Sequence, residues 1–315
     1  MASVLTTVIV NPRAAAGRVG REWAALEPAL KAELGDVQFL KTEKIEDGIR
    51  LAEQAVRGGS ERVLSLGGDG THNEVLNGIL RAGVAPGSVT LGILPAGTGG
   101  DFRRLLNSGQ ELLTAARAIP AASATLVDAG QAWFKGDDGV EQSRYFLNIL
   151  SFGIGGLVCR LVNKSSKRLG GRVSFFVATL EALMQYTPAK LRLVVDGDDK
   201  GVFEVTNIAV CNGRYFGGGM MVGPMARLAD GVLEVMVLRA GPLPQVIGLS
   251  RTIYQGKHLA SPLVSHFSGR EIVATPVDQN PAWIDCDGEA PGVAPVRISV
   301  VPGAVKLLDL RPEVA

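Results

Sequence analysis

Cysteine is scarce in this chain. Only three cysteines, Cys159, Cys211 and Cys286, occur among its 315 residues. They are odd in number and widely spaced, so the sequence indicates neither a disulfide framework nor a zinc site, both of which need paired or clustered ligands. We predict that all three thiols are buried structural side chains.

Long uninterrupted apolar runs are also missing. Glu181 interrupts the stretch Phe175–Met184, and Glu234 interrupts Val232–Leu238. A membrane-spanning helix needs about 20 predominantly apolar residues, so we predict none. The segment Met1–Val10 lacks the positively charged start of a secretory signal and already has the pattern of a strand. Together these absences favour a cytoplasmic enzyme.

An excess of charge of either sign is absent too, since the formal net charge is +1. Nothing global attracts the chain to nucleic acid, and we predict no nucleic-acid partner. Hydrophobic residues make up 46% and charged residues 20%, proportions that are typical of a folded globular protein. Glycine, by contrast, is abundant at 40 residues. The glycines cluster in short runs between apolar segments, which indicates turns and ligand-binding loops.

The first 122 residues alternate between strand-like and helix-like segments. The predicted strands are Val4–Val10, Val37–Leu40, Arg62–Leu66 and Val89–Leu94. The predicted helices are Arg21–Leu34, Ile45–Arg57 and Glu74–Leu80. Strands and helices that alternate at this length predict an α/β domain, spanning residues 1–122, with a parallel sheet covered by helices.

Residues 123–315 have a different pattern and predict a second domain, after a linker at Ile119–Ser123. Short strands separated by turns indicate a mostly antiparallel β domain. The predicted strands are Thr125–Gln131, Arg144–Leu150, Leu191–Val195, Glu204–Val210 and Leu233–Leu238. One helix is predicted near Val173–Tyr186. The closing strands in Val296–Leu310 either pack on this domain or return to the first one.

A glycine-rich loop, Leu66–Glu74, follows a predicted strand and opens a predicted helix. Its glycines allow a sharp turn and close approach to a phosphate. The helix N-terminus behind it supplies N–H groups and a partial positive charge. Asp69 stands at the tip, at the carboxyl end of a parallel strand, where ligands of open α/β sheets bind. A second loop of this kind, Gly92–Phe102, adds the hydroxyl of Thr98 and the carboxylate of Asp101. Each loop alone could be a simple capped turn.

Two further motifs lie in the β-rich part. Three adjacent glycines in Tyr215–Pro224 indicate close approach of a ligand or of backbone, and Asp230-Gly231 has the composition of a hairpin turn. The segment Asp285–Glu289 holds three acids in five residues. These acids fit a solvated turn, a metal site or a general base.

With these motifs in this order, the chain resembles the diacylglycerol kinase catalytic family, which includes sphingosine and ceramide kinases and bacterial lipid kinases. The resemblance runs nearly end to end, from Val8–Pro12 to Asp287-Gly288-Glu289. It implies an α/β nucleotide-binding domain followed by a β-sandwich, with the active site in the cleft between them. It also implies an ATP-dependent kinase that transfers the γ-phosphate to a lipid hydroxyl, with Mg²⁺ as the metal.

The resemblance implies a role for each matching position. Asp69 works near the metal and the γ-phosphate, and Glu289 is the general base. The positions implied in nucleotide binding are Asn11, Thr42, Gly67, Gly68, Asp69, Gly70, Thr71, His72, Asn73, Gly97, Thr98 and Asp101. Asp230, with the backbone oxygens of Arg227 and Val232, matches a structural magnesium site. The implied partner is a lipid substrate met by peripheral contact at the inner membrane surface, and a homodimer is one option for the oligomeric state.

The chain departs from the family pattern in its second loop. The family usually has Gly-Thr-Gly-Asn-Asp, whereas this chain has Gly100 in place of the asparagine. Two alternatives therefore stay open beside a lipid kinase. One is a kinase of a soluble acceptor such as NAD, because NAD kinases share the first glycine loop. The other is a non-catalytic protein that binds nucleotide or lipid.

Several side chains have both a functional and a structural interpretation. His72 either touches phosphate or faces solvent from the helix. The basic residues around 164–172 either meet anionic headgroups or form a solvated face. The apolar residues of the Val173–Tyr186 helix either form a buried stripe or line an acyl-chain cleft. That set is Phe175, Phe176, Leu180, Leu183 and Met184.

Overall fold

A computed structural model of the chain describes residues 4–96, 100–101, 104, 111–164 and 171–310, except for the side chains of residues 163–164, 171–176, 180, 243, 247 and 250. Contacts divide the chain into two compact units. The first unit comprises Met1–Ala129 and Val301–Ala315, and the second comprises Gly130–Val300. The domain boundary that the sequence predicts after residue 122 stays a prediction.

The secondary structure alternates in the first unit and is rich in strands in the second. The strands are β1 (Thr6–Val10), β2 (Val37–Lys41), β3 (Arg62–Gly67), β4 (Thr90–Pro95), β5 (Ala124–Gly136), β6 (Glu141–Phe146), β7 (Ile149–Gly153), β8 (Ala189–Val195), β9 (Asp198–Cys211), β10 (Tyr215–Phe216), β11 (Met220–Met221), β12 (Leu233–Arg239), β13 (Val264–Gly269), β14 (Glu271–Pro276), β15 (Ile284–Cys286) and β16 (Gly292–Leu308). The helices are α1 (Arg18–Arg21), α2 (Trp23–Leu34), α3 (Asp47–Arg57), α4 (Asp69–Arg81), α5 (Leu112–Ala118), α6 (Ile154–Lys164), α7 (Gly171–Gln185) and α8 (Leu243–Ile253).

The first unit contains a parallel sheet in the order β2-β1-β3-β4, continued by the end of β16. All five residues of β1 are buried, as expected for a parallel strand that is covered on both faces. One face packs on α2 and α5 through Trp23, Leu30, Ala115 and Ala116. The predicted parallel α/β architecture is confirmed.

Helices α3 and α4 pack at unusually close range, and Gly78 permits this. A Cβ atom at Gly78 would lie 2.3 Å from the carbonyl oxygen of Ile49 and 2.7 Å from the Cβ of Ala52. Both distances are shorter than van der Waals contact, and one of the atoms belongs to the backbone. The carboxylate of Glu74 adds a polar link, because it accepts the N–H groups of Glu46 (2.9 Å) and Gly48 (2.9 Å) at the start of α3.

The second unit is antiparallel. Its strands follow the order β13-β12-β9-β8-β14-β16, β7 pairs with β9 and β15, and β5 pairs with β6. Alternate residues of β8 face the core, where Leu191, Leu193 and Val195 are buried. Phe146 and Phe152 are the largest fully buried side chains of this core. The predicted antiparallel β domain is confirmed.

The helices of the second unit were only partly predicted. Helix α7 lies where the sequence indicates one, but α6 and α8 were missed. The predicted buried stripe on α7 is wrong for Leu183 and Met184, which are 45% and 82% exposed. The helix instead buries the small residues Ala178 and Ala182 in a cluster with apolar residues of α6. The side chains of Phe175, Phe176 and Leu180 lie outside the described residues, as do those of Lys164, Lys167, Arg168 and Arg172.

All three cysteines are buried and unpaired with one another, so the prediction of structural thiols is confirmed. Burial raises the pKa of the Cys211 and Cys286 thiols well above the ordinary range, which keeps them protonated and unreactive. Within the described residues, every helix is too short or too polar to cross a bilayer.

Replacement of Gly78 by alanine tests the close packing of α3 on α4. We expect Gly78→Ala to lower the free energy of unfolding by about 1–3 kcal/mol, because the added methyl must displace backbone. Chemical denaturation followed by circular dichroism measures the change.

The matched control is Gly248→Ala in helix α8, where a Cβ would meet no atom within 4 Å. That substitution should leave stability unchanged or raise it by up to ~1 kcal/mol, since alanine is the better helix former. A Gly78→Ala protein as stable as wild type would contradict the packing argument.

Candidate functional site

The carboxyl ends of the parallel strands in the first unit bring the predicted nucleotide residues to one edge. Val10 is in register with Lys41 of β2 and with Leu66 of β3, so these strands end side by side. The residues that follow are Asn11 after β1, Thr42 after β2 and Gly68 after β3. Strand β2 lies on one side of β1 and strand β3 on the other, so the strand order of the sheet reverses between β1 and β3. Ligands of open α/β sheets bind at such a switch point.

Asn11 ties the end of β1 to the start of α4. Its Nδ2 donates to Thr71 Oγ1 (2.9 Å), and its Oδ1 accepts the N–H of Arg13 (2.9 Å). Its own N–H donates to the carbonyl of Leu66 (2.9 Å), while the N–H of Thr42 donates to the carbonyl of Val10 (2.9 Å). Asn11 therefore holds the two loops that flank the switch point at a defined distance.

Helix α4 begins at Asp69, five residues before the predicted start at Glu74. The difference arises because Gly70-Thr71-His72-Asn73 is polar and weakly helical by propensity, yet Thr71, His72 and Asn73 are buried here. A Cβ at Gly67 would lie 2.5 Å from the Cβ and Oγ1 of Thr71, whereas one at Gly68 would meet nothing within 4 Å. The N-terminus of a helix carries a partial positive charge, and here that end lies directly after the Gly67-Gly68 turn.

His72 is 3% exposed, so the interpretation that it faces solvent is wrong. Its Nδ1 lies 2.8 Å from the hydroxyl oxygen of Ser65 on β3. Burial lowers the pKa of His72 to about 3, so the imidazole is neutral at pH 7. The pair joins strand β3 to helix α4 beneath the Gly67-Gly68 turn. Sequence reasoning missed Ser65, although its polar side chain within a buried strand was a signal.

Asp69 and Asp101 meet at the same edge. Oδ2 of Asp69 accepts the N–H of Asp101 (3.0 Å), and Asp101 also pairs with Arg104 (3.1 Å). Gly100, in the second loop, has φ +152°, and a Cβ there would lie 3.0 Å from Oδ1 of Asp69. The glycine that replaces the usual asparagine thus leaves room for the Asp69 carboxylate beside Gly100. The predicted residues Gly97 and Thr98 lie outside the described residues.

The three acids near the C-terminus are not equivalent. Asp285 and Asp287 are 4% and 7% exposed, whereas Glu289 is exposed. The carboxylate of Asp287 accepts three backbone N–H groups, and that of Asp285 accepts the N–H of Gly288 (2.7 Å). Of the three carboxylates, only that of Glu289 therefore faces solvent.

The triple-glycine motif forms the turn of a small hairpin between β10 and β11. Gly217, Gly218 and Gly219 have φ of 60°, 83° and 108°, values that favour glycine, so the turn itself requires them.

Asp230 is exposed, and its Oδ1 accepts the N–H of Val232 (3.2 Å). Among the described residues, no three or more histidine, cysteine or acidic side chains are gathered where they could hold a metal ion.

Two family profiles match the chain. The diacylglycerol kinase catalytic domain matches residues 6–132, and the YegS C-terminal NAD kinase beta sandwich-like domain matches residues 148–309, which is more than half of the 315 residues. The chain is 28% identical to a diacylglycerol kinase of Mycobacterium tuberculosis over 306 residues, covering 97% of this chain and 95% of the relative. It is 26% identical to a diacylglycerol kinase of Staphylococcus aureus over 292 residues, covering 92% and 87%.

Solved structures share the fold. A diacylglycerol kinase crystal structure from Bacillus anthracis covers 100% of both chains at 21% identity, with a TM-score of 0.69. A second structure from that organism has a TM-score of 0.77 at 23% identity, covering 99% of this chain and 97% of its own. The predicted order of a parallel α/β domain followed by a β-sandwich is confirmed by these matches and by the strand topology above.

The buried His72 makes stability depend on pH. In the unfolded chain this histidine binds a proton below its ordinary pKa of 6.5, whereas in the folded chain it stays neutral down to about 3. Its contribution is therefore fully present above pH 6.5 and is lost as the pH falls. We expect wild type to lose about 2 kcal/mol more than His72→Gln between pH 7 and pH 5. Urea unfolding at both pH values measures this difference, and equal losses in the two proteins would contradict it.

Proposed function

The chain belongs to the diacylglycerol kinase family, and on that premise we propose that it transfers the γ-phosphate of ATP to the hydroxyl group of a lipid. Family membership supports a kinase that uses ATP. A lipid acceptor is supported by the names of the relatives, which are diacylglycerol kinases. The observation that carries the proposal is the convergence of Asn11, Thr42 and the Gly67–Asp69 turn at the switch point of the first sheet.

In this proposal the triphosphate lies over the Gly67-Gly68 turn. The partial positive charge at the N-terminus of α4 faces the negative charge of the triphosphate. The other positions assigned to the nucleotide are Asn11, Thr42, Gly70, Thr71, His72, Asn73, Gly97, Thr98 and Asp101. Because Thr71, His72 and Asn73 are buried, their side chains support the turn and their backbone would meet the nucleotide.

The transfer requires one proton movement. The acceptor oxygen forms a bond to the γ-phosphorus, the bond from that phosphorus to the β,γ-bridging oxygen breaks, and ADP leaves. The proton of the acceptor hydroxyl passes to the Glu289 carboxylate, which is exposed and so accessible to a substrate. Asp69 acts at the phosphate end, where its carboxylate is already oriented by the N–H of Asp101.

Magnesium fits the donor groups of the proposed sites. Mg²⁺ prefers hard oxygen ligands and usually keeps several waters beside one or two carboxylates. Asp230 and the carbonyl oxygens of Arg227 and Val232 are such ligands, and we assign them a structural ion. Magnesium bound with ATP would neutralise the charge of the triphosphate.

The acceptor is proposed to be met at a membrane surface, by peripheral contact. Helix α7 supports this because Val177, Leu183 and Met184 are apolar and at least 45% exposed. Exposed apolar side chains leave water when they contact lipid, which is favourable. The candidate acceptors are diacylglycerol and related lipids.

Label transfer from γ-labelled ATP tests the proposed reaction. The acceptors are a panel of lipids in mixed micelles together with NAD, in the presence of Mg²⁺. Wild type should label a lipid, and Asp69→Asn and Glu289→Gln should each lose roughly 100-fold or more in kcat, the size of a general acid–base contribution. Asp196→Asn, at an exposed turn of the second unit, serves as the matched control with unchanged activity.

Each alternative has its own outcome in this assay. Labelled NAD without any labelled lipid would identify a kinase of a soluble acceptor. Bound ATP without turnover would indicate a binding protein, with Gly100 as the first position to restore to asparagine. Either result would overturn the proposed lipid kinase.

Substitutions at the adjacent glycines Gly67 and Gly68 distinguish a glycine that the fold requires from one that the nucleotide would require. Gly67→Ala should lower both stability and ATP affinity, because the new methyl collides with Thr71. Gly68→Ala should leave stability unchanged, since space is open there and the backbone is extended, yet raise KM for ATP about tenfold or more, a loss of ~1.4 kcal/mol. Thermal unfolding and initial rates at varied ATP measure both effects. If Gly68→Ala leaves KM unaltered, the triphosphate does not lie over this turn.

A further inference from the structure

Glu289 follows directly after a two-residue hairpin turn. The N–H of Cys286 donates to the carbonyl of Glu289 (2.8 Å), and the N–H of Glu289 donates back to Cys286 (3.0 Å). Between them, Asp287 has φ +50° and Gly288 has φ +93°. Two such left-handed residues define the turn type that Asp-Gly favours in hairpins. The orientation of Glu289 is therefore set by whatever holds this turn in place.

The carboxylate of Asp287 anchors the turn to a neighbouring backbone segment. Its Oδ2 accepts the N–H of Leu147 (2.8 Å), and its Oδ1 accepts those of Asn148 (3.1 Å) and Ile149 (2.9 Å). The N–H of Asp287 also donates to the carbonyl of Ile149 (3.1 Å). Hydrogen bonds to a charged acceptor are stronger than neutral ones, and here three consecutive buried amides share one carboxylate.

The anchoring segment is itself fixed from the other side. The carbonyl of Asn148 accepts the N–H groups of Asn212 (2.9 Å) and Gly213 (2.7 Å), and Nδ2 of Asn148 donates to the carbonyl of Tyr215. Asn212 Nδ2 donates to the carbonyl of Leu147 (2.6 Å). The segment therefore connects the Asp-Gly-Glu turn with the chain that enters the glycine-rich hairpin.

Other contacts bind the turn without reaching Glu289 itself. Oδ1 of Asp285 accepts the N–H of Gly288 (2.7 Å), and the thiol of Cys159 donates to the Gly288 carbonyl (2.9 Å). These two bonds hold the glycine of the turn, whereas Asp287 holds the turn to the rest of the sheet. An oxygen pair that already accepts three amides is poorly suited to bind a metal as well.

We propose that Asp287 is a positioning residue for the reaction, which sets the position of the Glu289 carboxylate by binding the backbone amides of Leu147, Asn148 and Ile149. The assignment rests on the proposed function, since it assumes that Glu289 takes the acceptor proton. It separates the three acids by role: Asp285 and Asp287 organise the turn, and Glu289 performs the chemistry. A displacement of about 1 Å in a catalytic group can lower the rate ~100-fold.

The chain offers a matched control with the same local structure. Asp196 and Gly197 form an equivalent two-residue turn between β8 and β9, with φ of 51° and 84°. Oδ1 of Asp196 accepts the N–H groups of Arg270 (2.8 Å) and Glu271 (2.8 Å). Asp196 thus captures neighbouring amides as Asp287 does, in a turn that contains none of the motif acids.

A double-mutant cycle tests the proposal. The proteins are wild type, Asp287→Asn, Glu289→Gln, the double variant and Asp196→Asn, each checked for folding by circular dichroism. Asp287→Asn should lower kcat about 100-fold with KM for ATP unchanged, and should change kcat less than threefold in the Glu289→Gln background. Asp196→Asn should lower the free energy of unfolding and leave kcat unchanged. If Asp287→Asn does not fold, Asp287→Gly removes the carboxylate while keeping a turn that glycine adopts without strain.

The outcomes separate this proposal from the proposed function. Losses of equal size in both Glu289 backgrounds would show that Asp287 acts through the fold in general and would overturn the assignment alone. Absence of any labelled acceptor with wild type would overturn the proposed function and this assignment with it. Amide hydrogen exchange adds a readout without turnover: Leu147, Asn148 and Ile149 should exchange faster in Asp287→Asn than in Asp196→Asn, and equal exchange would contradict the anchoring contact.

Discussion

Backbone amides at the ends of strands and helices need acceptors, and carboxylate side chains supply them at several places in this chain. Glu74 accepts two amides at the start of α3, Asp47 accepts those of Glu43 and Lys44, and Asp287 accepts three. A buried N–H without a partner is costly, so these acids are committed to structure. Glu289, to which we assign the acceptor proton, is by contrast exposed at the surface.

Glycine has two distinct uses in the same region. At Gly67 and Gly78 a side chain would collide with Thr71 or with the backbone of Ile49, so the protein itself requires glycine. At Gly68 the structure leaves open space and ordinary extended backbone. The fold therefore does not account for this glycine, which lies between a strand end and a helix start, and the proposed approach of the triphosphate does. At the β10–β11 hairpin, by contrast, the positive φ of all three glycines accounts for their presence.

Much of the architecture was readable from hydrophobic periodicity. The strands β1, β2, β3 and β4 and helices α2 and α3 lie where the pattern predicts them, since buried parallel strands and amphipathic helices have distinct periods. Helix α4 starts earlier than predicted because its first turn is polar but buried under tertiary contacts. Helices α6 and α8 were missed because both lie between short strands and turns, and the sequence pattern of those strands and turns was assigned to the whole region. The pattern around Leu183 and Met184 correctly predicted a helix but wrongly predicted that these two side chains are buried. Helix α7 packs through Ala178 and Ala182 instead.

The sequence by itself determined the order of the two domains, the glycine loops at strand ends and the presence of three acids near the C-terminus. These depend on local composition and spacing, which a linear pattern retains. Only the tertiary structure decided which residues share an edge, that His72 is buried against Ser65, and that Asp287 is bound by three amides from a segment about 140 positions away in the chain. Such pairings are set by strand order and register, which no local pattern encodes.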